Sequence, residues 1–307
     1  MPHVLSASRR TDIPAFYPAW FVNRLKAGYV FVKNPYSQRV TRVSLKPEDV
    51  SSIVFWSKNY APLLSKLEAI ERTTKNLFFH FTITANKELE KNAPDYRDAV
   101  KDYLFLVRRY SPEQVIWRYD PVCITDKLSF ASHEDRFVQC AALLKGHAAR
   151  CFISFVHPYK KVISNMRKYS DHTLLELSRE RKRGFALALA EKAEAHGIHL
   201  YACCNDFLLA EKIEKASCID GEFLSKIFDT PIDGRFAATR KECACTKSID
   251  IGAYDTCAHG CVYCYATTDG EKAREAQRGQ DEHGNALGMQ VDEKTIPPDG
   301  AQQTLFG

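Results

Sequence analysis

Short apolar runs rich in β-branched and aromatic residues alternate with longer stretches of helical period over roughly the first two hundred residues. The runs HVLSA (3–7), YVFVK (29–33), SIVFW (52–56), LFFHFTI (77–83), QVIWRY (114–119), CFISFV (151–156) and HLYAC (199–203) read as strands. Between them, stretches such as FYPAWFVNRLKAG, DYRDAVKDYLFLVRRY and DHTLLELSRERKRGFALALAEKAEAHG repeat Leu and Ala at threes and fours, as a helix with one buried face requires. Gly28, Gly146 and Gly197 each follow a helical run, where a C-terminal cap sits. Seven β-α units predict an α/β fold, a (β/α) TIM-like barrel, full or partial, over residues 1–206.

Each strand runs into a charged or amide cluster: SRRTD (8–12), KNP (33–35), SKN (57–59), TAN (84–86), RYDP (118–121), HPYK (157–160) and CCND (203–206). In a β/α barrel those ends share one rim, so side chains from many strands converge there. Arg9 and Arg10 beside Asp12 could grip a phosphate or carboxylate, or could instead form an ion-pair network that orders the first loop. Lys33 with Asn34, Lys58 with Asn59, and Arg118 with Asp120 repeat the pairing of a cation with a hydrogen-bonding neighbour. Together they predict a polar or anionic ligand. His157 and His259 are candidate acids or bases, whereas His80, alternating with Phe on a strand, reads as a core histidine.

A chain of 307 residues, 45% of them hydrophobic, can bury a substantial core. The balance of 43 Lys and Arg against 38 Asp and Glu gives +5, which permits a polyanionic partner without the charge density of a dedicated nucleic-acid binder. No apolar window is long enough to span a membrane, and MPHVLSASRRTD lacks a secretory apolar core, so a cytoplasmic protein is expected. There is no Gly-rich phosphate loop, Ser-His-Asp ordering or His-Glu-x-x-His helix, which sets hydrolysis aside.

Eleven cysteines without an export signal argue against a disulfide framework. Cys123, Cys140 and Cys151 are scattered in apolar surroundings and read as small core residues, while the other eight crowd between Cys203 and Cys264. In YDTCAHGCVYCYA, the residues Cys257, Cys261 and Cys264 offer three thiolates from one tight loop. A closed zinc site takes four ligands, commonly as two short-spaced pairs. A cubane iron-sulfur cluster can take three and leave one iron open.

The x3-x2 spacing, with Tyr263 just before the last cysteine, is similar to the cluster loop of radical S-adenosylmethionine enzymes. The runs DIGAYDTCAHGCVYCYA, HVLSASRRTDIPAFYPAWFVNRLKAGYVFVKNPY, SIVFWSKN and VIWRYDPV resemble the family called domain of unknown function 1848, from His3 to about Ala266. That family is related in its cluster loop to radical S-adenosylmethionine proteins, including the spore photoproduct lyase-like group. The resemblance implies a 4Fe-4S cluster on Cys257, Cys261 and Cys264, bound S-adenosyl-L-methionine, a 5′-deoxyadenosyl radical, and an electron donor such as flavodoxin or ferredoxin. On this reading Arg9, Arg10, Lys33, Asn34, Lys58, Asn59, Tyr263 and Tyr265 bind cofactor or substrate. Asp12, Arg118, Asp120 and Cys203 are the catalytic candidates, Cys203 or Cys204 as a hydrogen-atom donor. The substrate is polar or anionic, with DNA or a nucleotide in that class. The superfamily carries its triplet after the first barrel strand, and here it follows all seven. A loop arriving from the C-terminal side can still cap the rim.

Beyond about residue 207 the alternation stops, and residues 207–270 read as a Cys-rich appendage. Within it Cys243 and Cys245, with Cys203 and Cys218, could make a second iron-sulfur or zinc site. The tail, 271–307, is polar and punctuated by Gly and Pro, and reads as extended or partly mobile. It ends in Gln302-Gln303-Thr304-Leu305-Phe306, similar to the short peptides with which bacterial repair proteins engage the sliding clamp, or else a segment that docks on its own domain. The alternative from another class is therefore a DNA- or clamp-associated binding protein with structural metal sites and no catalysis.

Overall fold

The computed structural model describes residues 2–296. Among the described residues ten strands form: β1 (His3–Ala7), β2 (Tyr29–Lys33), β3 (Val40–Ser44), β4 (Val50–Ser57), β5 (Leu77–Thr82), β6 (Val115–Val122), β7 (Arg150–Phe155), β8 (His199–Ala202), β9 (Ile213–Lys215) and β10 (Ile249–Asp250). Eight of them make one parallel sheet in the order β10-β1-β4-β5-β6-β7-β8-β9. Parallel neighbours need crossovers, which the helices Tyr96–Arg109, Phe130–Leu144 and Arg179–Glu194 supply. Asp95, Ser129 and Ser178 cap these helices by accepting backbone N–H bonds from Arg97, Ser132 and Arg181. The three helix-ending glycines all adopt positive φ as expected. No helix among the described residues is long and apolar enough to cross a membrane.

The two faces of the sheet follow the two-residue period of its strands. Leu5, Ile53, Phe55, Phe79, Trp117, Ile153 and Leu200 point to the helices and join the main core. The alternate residues Val4, Val54, Phe78, Ile116 and Phe152 form a second cluster with Cys203, Cys218, Cys243 and Cys245. This second face is concave. The rings of His80 on β5 and Phe152 on β7 lie 5.6 Å apart although β6 runs between them. Toward the C-terminal ends its residues turn polar, through His80, Arg118, Asp120 and Ser154.

Three expectations need correction. YVFVK is not a strand of the main sheet: it pairs antiparallel with Val40–Ser44 as a separate hairpin, β2-β3. Lys33 and Asn34 therefore leave the strand-end rim. Lys33 is exposed, and Asn34 Oδ1 accepts the Tyr36 and Ser37 N–H groups in the hairpin turn. The Cys-rich segment is likewise no mere appendage, because it supplies both edges of the sheet, β9 beside β8 and β10 beside β1. The stretches leading off those edges meet: the Ser217 hydroxyl donates to the Ala244 carbonyl at 2.9 Å and the Thr246 N–H to the Ile219 carbonyl at 2.8 Å. Finally, residues 270–296 do not trail away. A helix forms at Gly270–Arg278, and the chain after it packs on the first helices and the hairpin. Trp20 Nε1 donates to the Gly284 carbonyl and the Phe31 N–H to the Asn285 carbonyl, while Ala286 and Leu287 are buried. The Gln302–Phe306 motif lies outside the described residues.

Candidate functional site

The triplet loop is laid across the C-terminal ends of β1, β4 and β5. Asp12, just past β1, ties it down. Its Oδ1 accepts the Ala15 N–H at 2.9 Å, and its Oδ2 accepts both the Lys58 N–H at 3.0 Å and His259 Nε2 at 2.7 Å. His259 lies between Cys257 and Cys261, buried against the Phe16 ring, and its Nδ1 has no partner among the described residues. Asn92 anchors the same turn by donating to the His259 and Ala258 carbonyls. Gly260 follows at φ +67, and a Cβ there would press on Asn92 Nδ2 at 3.3 Å, so glycine is what lets the turn form.

Past β5, Glu90 organises the other flank. Lys58 Nζ pairs with Glu90 Oε2 at 3.0 Å, and the Tyr263 and Thr84 hydroxyls each donate to Oε1 at 2.5 Å. Burial opposes a charged Lys58, but Glu90 and the nearby Cys261 outweigh it and raise its pKa. Burial pushes the Cys257 and Cys261 thiols upward, Asp12 adding to the rise at Cys257 and Lys58 opposing it at Cys261. No sulfur–sulfur hydrogen bond joins the triplet, and the Ala266 N–H points to Cys264 Sγ at 3.3 Å.

Beside this loop, the first-strand turn is an ion-pair network around Asp250. Its carboxylate accepts from the Ser6 and Ser8 hydroxyls at 2.6 and 2.7 Å and from the Arg9 and Gly252 N–H groups, with Arg9 and Arg10 close by. Burial opposes ionisation, but the two guanidinium groups and these donors hold the carboxyl below its usual range. Arg9 also donates to Ser248 Oγ, while its Nη1 has no partner among the described residues. Arg118 forks onto Asp120, which also accepts from the Ser154 hydroxyl, and Arg118 Nη1 sits 3.2 Å from Cys218 Sγ.

These groups border a cavity of about 1770 Å³ lined by Arg9, Arg10, Arg118, Asp120, Arg240 and Lys161, by Trp56, Tyr254 and Tyr265, and by Cys203, Cys204, Cys218, Cys243 and Cys245. Tyr265, in the triplet loop, donates to the Arg9 carbonyl at 2.5 Å and so joins loop to cavity. Two exposed aromatics, Tyr36 and Phe236, stand in the cavity's lining. As the side chains stand, no group of three or more His, Cys, Asp or Glu residues among those described is disposed around a single ion.

The model of one protein family, described as a domain of unknown function (DUF1848), matches residues 4–266. The chain belongs to this family. No curated protein and no solved structure matches it.

Of the residues expected at the site, this DUF1848 chain brings Arg9, Arg10, Arg118, Asp120 and Tyr265 to the cavity with Cys203, Cys218, Cys243 and Cys245, and Asp12, Lys58 and Tyr263 to the triplet loop beside it. Asn59 is used locally, its Oδ1 accepting the Ala61 N–H. His157 is exposed, its ring 4.3 Å from that of Tyr159 and tilted 56° to it. His80 is a core residue as expected, bonded through Nε2 to the Cys218 carbonyl at 2.7 Å. Asp250, Glu90 and Arg240 escaped the sequence reading. Asp250 had one usable signal: SIDIG alternates apolar and polar residues like a short strand, and a charge within such a strand asks for a partner.

Proposed function

We propose that this DUF1848 chain is a radical S-adenosylmethionine-type enzyme. Cys257, Cys261 and Cys264 hold a 4Fe-4S cluster at the C-terminal end of a partial β/α barrel, and the adjoining cavity takes S-adenosyl-L-methionine with a polar or anionic substrate of the nucleotide or DNA class. One observation carries this reading: the three-cysteine loop covers the ends of strands whose polar residues also line the cavity. When bound, the cluster would supply one electron, drawn from a donor such as flavodoxin or ferredoxin, to cleave the sulfonium's carbon–sulfur bond into methionine and the 5′-deoxyadenosyl radical.

The donor set fits such a group. Three sulfurs stand apart on one loop, the Lys58 ammonium lies near Cys261 to offset thiolate charge, and Tyr263 and Val262 close the loop's buried side against water. Asp12 fixes His259 Nε2, which leaves Nδ1 open to a ligand. Arg9 and Arg10 suit a carboxylate or phosphate, and the aromatic faces of Trp56, Tyr254 and Tyr265 suit a base. The cavity exceeds the roughly 300–1,000 Å³ usual for one small molecule, so cofactor and substrate both have room. The barrel reading is supported by the concave inner face and by the hydrogen bonds that link the two sheet edges.

The test is anaerobic reconstitution with iron and sulfide, followed by reduction in the presence of S-adenosyl-L-methionine. The expected outcome is a brown protein that releases 5′-deoxyadenosine, with both properties lost in the Cys257→Ala, Cys261→Ala, Cys264→Ala variant. A colourless protein that binds only zinc and releases no nucleoside rejects the reading.

A further inference from the structure

Five sulfurs meet against the concave face of the sheet, apart from the triplet. Cys203 Sγ lies 3.4 Å from Cys218 Sγ and 4.0 Å from Cys204 Sγ. Cys204 reaches Cys243, Cys218 reaches Cys245, and Cys243 and Cys245 touch each other, so the contacts run in a closed circuit. The chain leaving β8, the chain leaving β9 and the chain entering β10 each contribute. Four thiolates set tetrahedrally about 2.3 Å from one ion would stand about 3.8 Å from each other, close to the 3.4 Å between Cys203 and Cys218. No three sulfurs converge on one point as the side chains stand, but the backbone gathers them from three separate stretches of chain.

Cations and hydrogen-bond donors surround these sulfurs. Arg118 Nη1 lies 3.2 Å from Cys218 Sγ and Arg240 Nη2 3.9 Å from Cys203 Sγ, and the Arg9 guanidinium is close enough to attract Cys218 and Cys245. The Cys245 N–H at 3.5 Å and the Thr239 hydroxyl at 3.6 Å both donate to Cys243 Sγ. Asp120 and Asp250 share the charge of Arg118 and Arg9. Even so, neutral thiols packed for volume would gain little from three nearby guanidinium groups, whereas an anionic metal–thiolate unit needs such cations when buried. Cys123, Cys140 and Cys151 show the contrast: they are buried with no arginine hydrogen-bonded to sulfur among the described residues.

We propose that Cys203, Cys218, Cys243 and Cys245 form a second metal centre, a thiolate site for zinc or iron, with the half-exposed Cys204 beside it at the cavity. The centre joins both edges of the sheet and does not depend on what the triplet binds.

The full-length Cys257→Ala, Cys261→Ala, Cys264→Ala protein, purified anaerobically, isolates it. Expected are roughly one equivalent of zinc or iron and an X-ray absorption first shell of sulfur alone at about 2.3 Å. In the otherwise wild-type chain, Cys218→Ala with Cys243→Ala removes this metal, to under about a tenth of an equivalent, while the triplet still reconstitutes. A metal-free triplet variant, a first shell of nitrogen or oxygen, or a Cys203–Cys218 disulfide in the mass spectrum of either protein overturns the proposal. Cobalt(II) added to the chelator-stripped triplet variant gives a further reading: intense sulfur-to-metal absorption is expected, and the pale spectrum of aqueous cobalt counts against the site. Loss of 5′-deoxyadenosine release alone would bear on the triplet and leave this centre standing.

Discussion

Burial above all, with Arg118 adding to it, drives the His80 pKa down to about 3. The ring is thus neutral in the folded chain, whereas in the unfolded chain it titrates near about 6.5. Below that pH the unfolded state takes up a proton that the folded state refuses. Stability present above about pH 6.5 is therefore lost as pH falls toward the folded value, at up to about 1.4 kcal/mol per unit. Urea melts of wild type and His80→Phe at about pH 7 and about pH 5 should differ in their acid loss by about 2 kcal/mol, and equal losses would refute this account. Asp250→Asn leaves two partly buried arginines facing a neutral amide, so unfolding at neutral pH should become easier by about 2 kcal/mol, read from the urea midpoint. At this scale the triplet and the Arg118–Asp120 pair were visible in the sequence, because their members are neighbours along the chain. Asp250 and Glu90 were not, because what explains them is contact with Ser6, Ser8 and Tyr263, far away in the chain.

Six of the seven strands read from the sequence belong to the parallel sheet, since buried strands carry dense β-branched and aromatic runs. YVFVK carries the same run and pairs otherwise. The distinguishing signal sits just C-terminal to it: residues 34–51 contain no helical period, and a parallel neighbour needs a crossover of roughly a dozen residues or more. The strands at Ile213–Lys215 and Ile249–Asp250 are three and two residues long, too short for any periodicity to register. The second is held largely by side chains, and Gly252 just beyond it is tightly enclosed. A Cβ there would stand 2.0 Å from Ser8 Oγ. Gly252→Ala should therefore cost about 1–3 kcal/mol and speed amide hydrogen exchange at residues 249–252 before it does so in β5 or β6. Exchange unchanged at those amides would show that the turn yields freely.

Over the whole molecule, the cavity joins cations to aromatic faces, and two of those faces are almost free of structural duty. Tyr36 is 85% exposed and Phe236 71% exposed. Replacing both by Ala should leave the melting temperature unchanged and weaken a single-stranded oligonucleotide by about 1–3 kcal/mol for each stacked base lost. Wild-type affinity should also fall as salt rises, by fluorescence anisotropy, and a salt-independent affinity would exclude phosphate contacts. The α/β class was legible in the sequence because it rests on repeated local patterns; the cavity was not, because it depends on how far the sheet curves.

His3–Ala7 finds one of its two neighbours in Ile249–Asp250, which leaves the ribosome more than two hundred residues later. Until then an open row of amides and the buried-to-be Ser6 and Ser8 face water, and nascent chains halted short of residue 249 should remain prey to proteases that the finished protein resists. Cys243 and Cys245 lie just before that strand and Cys257, Cys261 and Cys264 just after it, so the edge of the sheet closes with the same short stretch of chain that carries these five sulfurs.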